Sequence, residues 1–227
     1  MSDRLSVVFL GVNDAGMRIY EWLCDRPTVD VCALLTTREQ LSLVEELRPD
    51  VLLSVGYRHR VPESILDIPE RAALNLHPAY LPFNRGANPN VWAIVDGTPA
   101  GVTLHHMAPE LDTGAIVERR TVPTDFADTG RALYDRLEDA QFDLFTDVWP
   151  RFERGETSAD PQSRDAGTYH ETDEFDALCD LDATATYTTK ELLDILRALT
   201  FPPHRNATVE VDGERYYVEV DITRADD

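Results

Sequence analysis

Short apolar segments without a polar face dominate the first third of this 227-residue chain. Residues 5–10, 29–35, 50–56 and 72–76 are rich in Val, Leu and Ala, and they lack the alternation of apolar and polar residues that a half-exposed strand shows. The first three are each followed by a segment with the wider apolar spacing of a helix or by a loop. Strands that are apolar on both faces and alternate with helices form parallel sheets covered on both sides. We therefore expect an α/β fold built on such a sheet.

The middle of the chain continues this pattern. Its predicted elements are a helix over 88–96, strands over 101–107 and 115–121, and a long helix over 129–152. Apolar residues recur at about helical period in the long helix, and Asp128 just before it is predicted to be its N-cap. This helix would cover one face of the sheet and complete a first domain of residues 1–155.

The composition changes after Arg154. Residues 155–189 are polar and acidic and show no strong period, so an irregular excursion is expected there. A helix over 190–199 and a β-hairpin over 209–220 follow, with Asp212-Gly213 at the turn of the hairpin. The sequence thus predicts a small accessory element over 156–227, formed by a helix and a hairpin.

The charge of the chain is strongly acidic. Forty-two Asp and Glu residues face 21 Lys and Arg, the formal net charge is -21, and Lys190 is the only lysine. A surface of this kind repels phosphate backbones, so nucleic acid is not expected as a partner. The shortage of lysine beside an excess of carboxylates suggests adaptation to high salt, which would make the charge environmental rather than functional.

Neither membrane insertion nor metal binding is indicated by the sequence. No segment approaches the roughly 20 apolar residues of a membrane span, and no early stretch reads as a basic region followed by a long apolar run. Cys24, Cys32 and Cys179 show neither CxxC spacing nor nearby His clusters, so no disulfide framework and no zinc site is expected. The sequence predicts a soluble, cytoplasmic protein without a metal.

The fourth apolar segment ends in an unusual way, with Asn75 and His77 two residues apart. In open α/β sheets ligands bind at the carboxyl ends of the strands, so polar residues there carry particular weight. On an extended chain the two side chains project to the same side and can address one substrate atom together. For an isolated pair the alternative is structural, with Asn75 closing a turn and His77 bonded to a backbone carbonyl.

The surrounding sequence resembles the folate-dependent formyltransferase family. The family pattern is Asn-x-His-Pro-x-x-Leu-Pro-x-x-x-Gly, followed some thirty to forty residues later by Leu-Asp-x-Gly. Both parts occur here, over residues 75–86 and 111–114, and the resemblance extends over roughly residues 3–155. It implies a Rossmann-like, mostly parallel sheet with helices on both faces. Two motifs that occur together are far more specific than a single glycine pattern.

The resemblance implies transfer of a formyl group from 10-formyltetrahydrofolate to an amine, with Asn75, His77 and Asp112 as the catalytic residues. Attack of an amine on the formyl carbon develops an oxyanion and releases a proton. Asn75 can donate a hydrogen bond to the oxyanion, and His77 can accept or shuttle the proton. Asp112 can orient the imidazole and stabilise its charged form. The sequence leaves open how His77 and Asp112 divide the proton transfer.

Among the branches of this family, sugar N-formyltransferases that act on nucleotide-linked amino sugars are the most similar. Segments 81–94, 97–107, 144–152 and 167–176 carry that similarity, as does the tail that ends in the hairpin. Acidic Asp14 after the first strand argues against a glycinamide ribonucleotide transformylase, and the short acidic tail argues against a methionyl-tRNA formyltransferase. A formyltetrahydrofolate hydrolase and a silent folate-binding module remain as alternatives.

The resemblance also implies a set of binding residues. Those expected to line the folate site are Gly56, Tyr57, Arg58, Val61, Leu81 and Thr113. Those expected to meet the acceptor are Arg85, Gly86, Asn88 and Asn90. For Arg85 an ion pair that closes a loop is an equal alternative.

Two further expectations concern histidine and assembly. His105 and His106 are adjacent in a strand, so only one of them can face the site, and neither is assigned a catalytic role. The edge of the terminal hairpin could pair across the axis of a homodimer.

Overall fold

A six-stranded sheet forms the centre of the protein. The computed structural model describes residues 4–11, 13–163 and 165–225. Its strands are β1 (Leu5–Leu10), β2 (Val29–Leu35), β3 (Val51–Val55), β4 (Ala72–His77), β5 (Arg85–Gly86), β6 (Gly101–His106), β7 (Ile116–Thr121), β8 (Tyr169–His170), β9 (Asp180–Leu181), β10 (Thr200–Phe201), β11 (His204–Arg205), β12 (Thr208–Val211) and β13 (Glu214–Tyr217). The sheet order is β2-β1-β3-β4-β6-β7. The first four of these strands run parallel, and β6 is antiparallel to both of its neighbours. The predicted mostly parallel α/β sheet is therefore confirmed.

Helices cover both faces of this sheet. They are α1 (Asp14–Cys24), α2 (Ser42–Leu47), α3 (Glu63–Leu66), α4 (Pro89–Val95), α5 (Gly130–Glu153), α6 (Thr172–Cys179) and α7 (Thr189–Leu199). The apolar sides of α1 and α5 pack on one face in the larger core cluster. The other face is covered by α2 and α3, which contribute to the second cluster.

Strand β1 shows why the first strands are apolar on both faces. Side chains alternate between the two faces of a sheet, so Val7 and Phe9 enter the larger cluster while Val8 and Leu10 enter the second. All four side chains are fully buried. Neither face of this strand reaches water, and its sequence therefore shows no polar alternation.

The N-cap of α5 differs from the expectation. Thr129 caps the helix, because it has extended backbone angles and its side chain accepts the N–H of Ala132 at 3.1 Å. Asp128 lies one residue too early for that bond. Its carboxylate instead accepts the N–H of Asp125 and pairs with Arg136. The prediction of Asp128 as the cap was wrong by one position.

Residues 155–189 contain more regular structure than their sequence predicts. Helix α6 lies in this region and begins with a capping box, in which the side chains of Glu171 and Glu174 bond each other's backbone N–H groups. No residue of α6 is fully buried. A helix that buries no apolar side chain has little hydrophobic period, so the expectation of a wholly irregular excursion was wrong here.

The C-terminal part adds a hairpin and shares the core of the sheet. Strands β12 and β13 pair antiparallel around Asp212 and Gly213, which both have positive φ, as a tight two-residue turn requires. The predicted hairpin is therefore confirmed. Leu196 and Leu199 of α7 lie in the same cluster as α1 and α5. The accessory element thus packs into the core of the first domain, and the boundary at residue 155 stays a prediction.

Membrane and metal features are missing from the part of the chain that the structure describes. None of its helices is both long enough and apolar enough to cross a bilayer. Within the same residues, no group of three or more His, Cys, Asp or Glu side chains is placed to hold a metal ion. The thiols of Cys24, Cys32 and Cys179 are free.

Candidate active site

Asn75 and His77 lie at the carboxyl end of β4, between β3 and β6. Leu74 and Leu76 of this strand point into the larger core cluster. Because side chains alternate along a strand, Asn75 and His77 share the opposite side. The imidazole of His77 is buried, with 6% of the residue exposed. The strand thus presents two polar groups to one point at the edge of the sheet.

Asp112 reaches the same point from the loop between β6 and β7. Its carboxylate accepts a hydrogen bond from Asn75 Nδ2 at 3.3 Å and another from the backbone N–H of Gly86 at 2.9 Å. His77 Nε2 lies 3.7 Å from Asp112 Oδ2. The backbone of Asp112 is left-handed, with φ of 55°. The three residues predicted to act together therefore meet in one cluster, although Asn75 and Asp112 are 37 residues apart in the sequence.

The environment of Asp112 fixes its protonation state. Burial alone would raise the pKa of this carboxyl. The charges of His77 and His105, the hydrogen bond with His105 and the N–H of Gly86 outweigh burial and hold the pKa of Asp112 well below its ordinary value. A carboxylate with so low a pKa is a poor proton acceptor near neutrality. This favours His77 over Asp112 as the group that takes a proton.

The contacts of His77 indicate which of its nitrogens is free. Nε2 lies 3.0 Å from the backbone oxygen of Asn84. A carbonyl can only accept, so Nε2 carries the hydrogen and donates it. In the neutral ring the lone pair then resides on Nδ1. The structural alternative for His77, a bond to a backbone carbonyl, is therefore present, and the ring also lies beside Asp112.

His105 is a fourth member of the cluster. Its Nδ1 donates to the backbone oxygen of His106 at 2.8 Å, so in the neutral ring its Nε2 can accept from Asn75 Nδ2 at 3.2 Å. The same Nε2 lies 3.6 Å from Asp112 Oδ1, and in the charged ring it carries a hydrogen that faces this carboxylate. With His105 neutral, both hydrogens of the Asn75 amide are engaged, by His105 and by Asp112. An oxyanion can take one of them only in exchange for one of these contacts.

Two family models match the sequence. "Formyl transferase" matches residues 32–149, just over half of the chain, and "N-formyltransferase dimerization C-terminal domain" matches residues 174–224. The chain belongs to the formyl transferase family. The resemblance of the two sequence motifs to this family is thereby confirmed.

Individual relatives support the same assignment. A dTDP-4-amino-4,6-dideoxyglucose formyltransferase from Mycobacterium tuberculosis is 32% identical over 174 residues, which are 76% of this chain and 73% of the relative. A formyltransferase from Anoxybacillus kamchatkensis, solved with UDP-4,6-dideoxy-4-formamido-L-AltNAc and tetrahydrofolate, is 30% identical with a TM-score of 0.65, over 76% of this chain and 88% of that one. A sugar N-formyltransferase from a Shewanella species shares the fold, with a TM-score of 0.86 over 98% and 99% of the two chains at 22% identity.

Close approach explains two glycines of the formyltransferase motifs. A Cβ on Gly86 would come within 2.2 Å of the backbone oxygen of His170, and the φ of Gly86 is 89°. A Cβ on Gly114 would come within 1.9 Å of the backbone oxygen of His106. Any side chain at either position would displace a backbone segment that borders the cluster.

Four of the predicted folate-site residues lie in the loop between β3 and α3. Gly56 and Arg58 are exposed, and Tyr57 is half-buried with its hydroxyl donating to the backbone oxygen of Thr37 at 2.9 Å. Val61 is buried in the second core cluster. The register of β3 with β4 ends at the pair Val55 and Leu76, and Gly56 and His77 are the next residues along the two chains. The loop after β3 therefore begins beside His77.

The other two predicted folate residues differ in exposure. Leu81 is fully buried, and its N–H donates to the hydroxyl of Thr103 at 3.1 Å. This bond attaches the loop after β4 to strand β6. Thr113 borders an open cavity of about 320 Å³, whose lining includes Leu111 and Thr113, the two neighbours of Asp112 in the sequence. That cavity is lined by Arg60, Arg85, Glu110, Leu111, Thr113 and Tyr169.

The predicted acceptor residues hold loops in place. Arg85 is buried, and its guanidinium donates to the side chain of Gln162 at 3.1 Å and to the backbone oxygen of Ser163 at 3.2 Å. Asn90 is also buried and donates to the backbone oxygen of Gly130 at 3.1 Å. Asn88 has a left-handed backbone at the start of α4. Gly86 contributes its N–H to Asp112, as described above.

Proposed function

We propose that this protein transfers the formyl group of 10-formyltetrahydrofolate to the amine of a nucleotide-linked amino sugar. The observation that carries the proposal is the convergence of Asn75, His77 and Asp112 at the carboxyl edge of the sheet, with contacts of 3.3 and 3.7 Å, in a chain of the formyl transferase family. The acceptor class is supported by the Mycobacterium tuberculosis relative, which is named for a dTDP-linked amino sugar. The Anoxybacillus kamchatkensis relative was solved with a UDP-linked formamido sugar and tetrahydrofolate.

The proposed reaction assigns one task to each side chain. The amine nitrogen attacks the formyl carbon, and the new C–N bond leaves an oxyanion on the former carbonyl oxygen. Asn75 donates to this oxyanion in exchange for one of its present contacts. His77 takes the proton from the nitrogen through Nδ1, and the Asp112 carboxylate stabilises the resulting imidazolium. Collapse of the oxyanion re-forms the C=O bond and breaks the old C–N bond, while the proton passes from His77 to the departing folate nitrogen, and tetrahydrofolate and the formamide are released.

The cavity beside Asp112 is the proposed entry for one of the two substrates. It contains Thr113, expected at the folate, and Arg85, expected at the acceptor. The loop that carries Gly56, Tyr57 and Arg58 follows β3, the strand next to β4 in the sheet. We propose this loop as the other wall of the folate site. Arg60 and Arg85 give the cavity two cationic side chains, beside the carboxylate of Glu110. Anionic parts of the folate or of the nucleotide are the groups that these cations would attract.

A donor and acceptor assay tests the proposed function. The protein is supplied in molar salt with 10-formyltetrahydrofolate and a panel of dTDP-, UDP- and GDP-linked amino sugars, and tetrahydrofolate release is recorded with the mass of the sugar. We expect release only with an amino sugar, whose mass rises by one formyl group. Glycinamide ribonucleotide and water alone are the controls. Release with water alone would instead identify a hydrolase, and release with glycinamide ribonucleotide alone would contradict the acceptor class.

We further propose that the protein is a homodimer that pairs through its C-terminal part. Residues 174–224 match a family model described as a dimerization domain. Strand β13 lies at the edge of its sheet, and its side chains, Tyr216 and Tyr217 among them, are exposed. An exposed edge with two tyrosines is suited to pairing with a second copy.

Light scattering in molar salt tests this assembly. We expect a mass of about twice the 25.6 kDa of the chain. The double variant Tyr216→Asp, Tyr217→Asp should lower the mass to that of the monomer, because it places charge in the contact. The matched control is the double variant Leu43→Asp, Leu47→Asp, which puts the same charge on two exposed apolar residues of α2. A monomeric mass for the unchanged protein would contradict the proposal.

A further inference from the structure

A segment beyond the long helix crosses both loops of the catalytic cluster. We call residues 160–163 and 165–170 the crossing segment. Asp160 pairs with Ile116 at the start of β7 through two backbone bonds of 2.8 Å. At its other end, β8 pairs in parallel with β5, which contains Gly86. The crossing segment is thus fixed to the strand after the Asp112 loop and to the loop after His77.

Gln162 is the side chain of this segment that reaches Asp112. Its Nε2 donates to the backbone oxygen of Asp112 at 2.8 Å and to that of Gly114 at 2.7 Å. Its Oε1 accepts from the guanidinium of Arg85 at 3.1 Å. One carboxamide therefore uses both of its hydrogens on the Asp112 loop and its oxygen on the neighbouring loop.

These bonds close a circuit around the carboxylate of Asp112. The carboxylate accepts the N–H of Gly86 at 2.9 Å, and the preceding residue, Arg85, binds Gln162. Gln162 in turn binds the backbone of Asp112 itself. Asp112 has a left-handed backbone, a conformation that is uncommon for residues other than glycine. The N–H of Gly86 holds the carboxylate of Asp112, and Gln162 holds its backbone oxygen, so both ends of the residue are fixed.

We infer that Gln162 is a positioning residue for formyl transfer, which sets where the Asp112 carboxylate stands relative to His77. The inference rests on the proposed function for its kinetic consequence. Gln162 acts through Asp112, since its recorded contacts are with Asp112, Gly114 and Arg85. A displacement of about 1 Å in a catalytic group can cost on the order of 100-fold in rate. Without Gln162, the Asp112 loop loses two hydrogen bonds and its link to Arg85.

The test is Gln162→Met, which keeps the shape of the side chain and removes all three hydrogen bonds. We expect kcat to fall about 10- to 100-fold, while KM for 10-formyltetrahydrofolate stays within about threefold, since Gln162 does not line the cavity proposed for substrate entry. In an Asp112→Asn background, the same change should cost less than about threefold, because the group that Gln162 positions is already lost. An equal cost in both backgrounds would overturn the inference, as would an unchanged kcat in the single variant.

A matched control separates positioning from general loss of stability. Asn206→Leu also removes a carboxamide bond to a backbone oxygen, that of Leu199, but far along the chain from the cluster. We expect this control to keep its kcat. If Asn206→Leu lowers kcat as much as Gln162→Met does, the effect is general destabilisation and the inference is wrong.

A readout without activity keeps this inference separate from the proposed function. Hydrogen exchange is followed in peptides that contain the backbone amides of Gly86 and Gly114. Exchange should quicken in Gln162→Met and not in Asn206→Leu, because the loops lose their common anchor. Failure of the unchanged protein to transfer formyl to any acceptor refutes the proposed function alone. Unchanged exchange in Gln162→Met refutes the positioning role whether or not the protein is active.

Discussion

Asp112→Asn is expected to lower kcat by about 10²- to 10⁴-fold and to leave KM for 10-formyltetrahydrofolate within about threefold. The substitution keeps the size of the side chain but removes the charge that stabilises the His77 imidazolium. It also replaces one acceptor oxygen by an NH₂ group. Because Asn75 and Gly86 donate to separate oxygens of Asp112, one of these two donors loses its acceptor. The measurement is the donor and acceptor assay under saturating substrates. Asp143→Asn, at an exposed carboxylate of α5, is the control and should keep its kcat.

The same substitution has a pH-dependent effect on stability. The pKa of Asp112 is lowered in the folded protein, so its ionised form stabilises the fold at pH values above the unfolded pKa of about 4. That contribution is lost as pH falls toward the lowered folded pKa. We therefore expect the difference in unfolding free energy between wild type and Asp112→Asn to be largest near neutrality and to shrink below about pH 4. Near-normal kcat in Asp112→Asn would show that the carboxylate is not catalytic.

The sheet could be predicted because its signal is local. Strands β1 and β3 are buried along almost their whole length, and burial on both faces is what the sequence of such strands records. Strand β2, at the edge of the sheet, is exposed at Asp30 and Cys32. Helix α6 left no such signal, because none of its residues is fully buried and its start is fixed by the capping box of Glu171 and Glu174. The order of β6 between β4 and β7 is likewise a matter of tertiary packing that a single sequence does not record.

The catalytic cluster was predictable only in part, for the same reason. Asn75 and His77 are two apart on one strand, so their common direction follows from strand geometry. Asp112 was reached through the family motif, and no local pattern links it to them. His105 joins the cluster because β6 pairs antiparallel with β4 and sets it opposite Asn75. Gln162 comes from a segment without a sequence period, and only the folded chain brings it to Asp112.

His77→Ala is expected to lower kcat by about 10²- to 10⁴-fold, because it removes the group that takes the proton from the attacking amine. Tetrahydrofolate binding should change little, since a residue that acts mainly on the transition state contributes little to ground-state affinity. His204→Ala, at an exposed histidine of β11, is the matched control and should keep its kcat. Added imidazole should restore part of the activity of His77→Ala and leave Asp112→Asn unaffected, because only the first variant lacks the ring that accepts the proton. If both variants respond equally to imidazole, the base is not His77, and the assignment of proton transfer to Nδ1 of this ring must be abandoned.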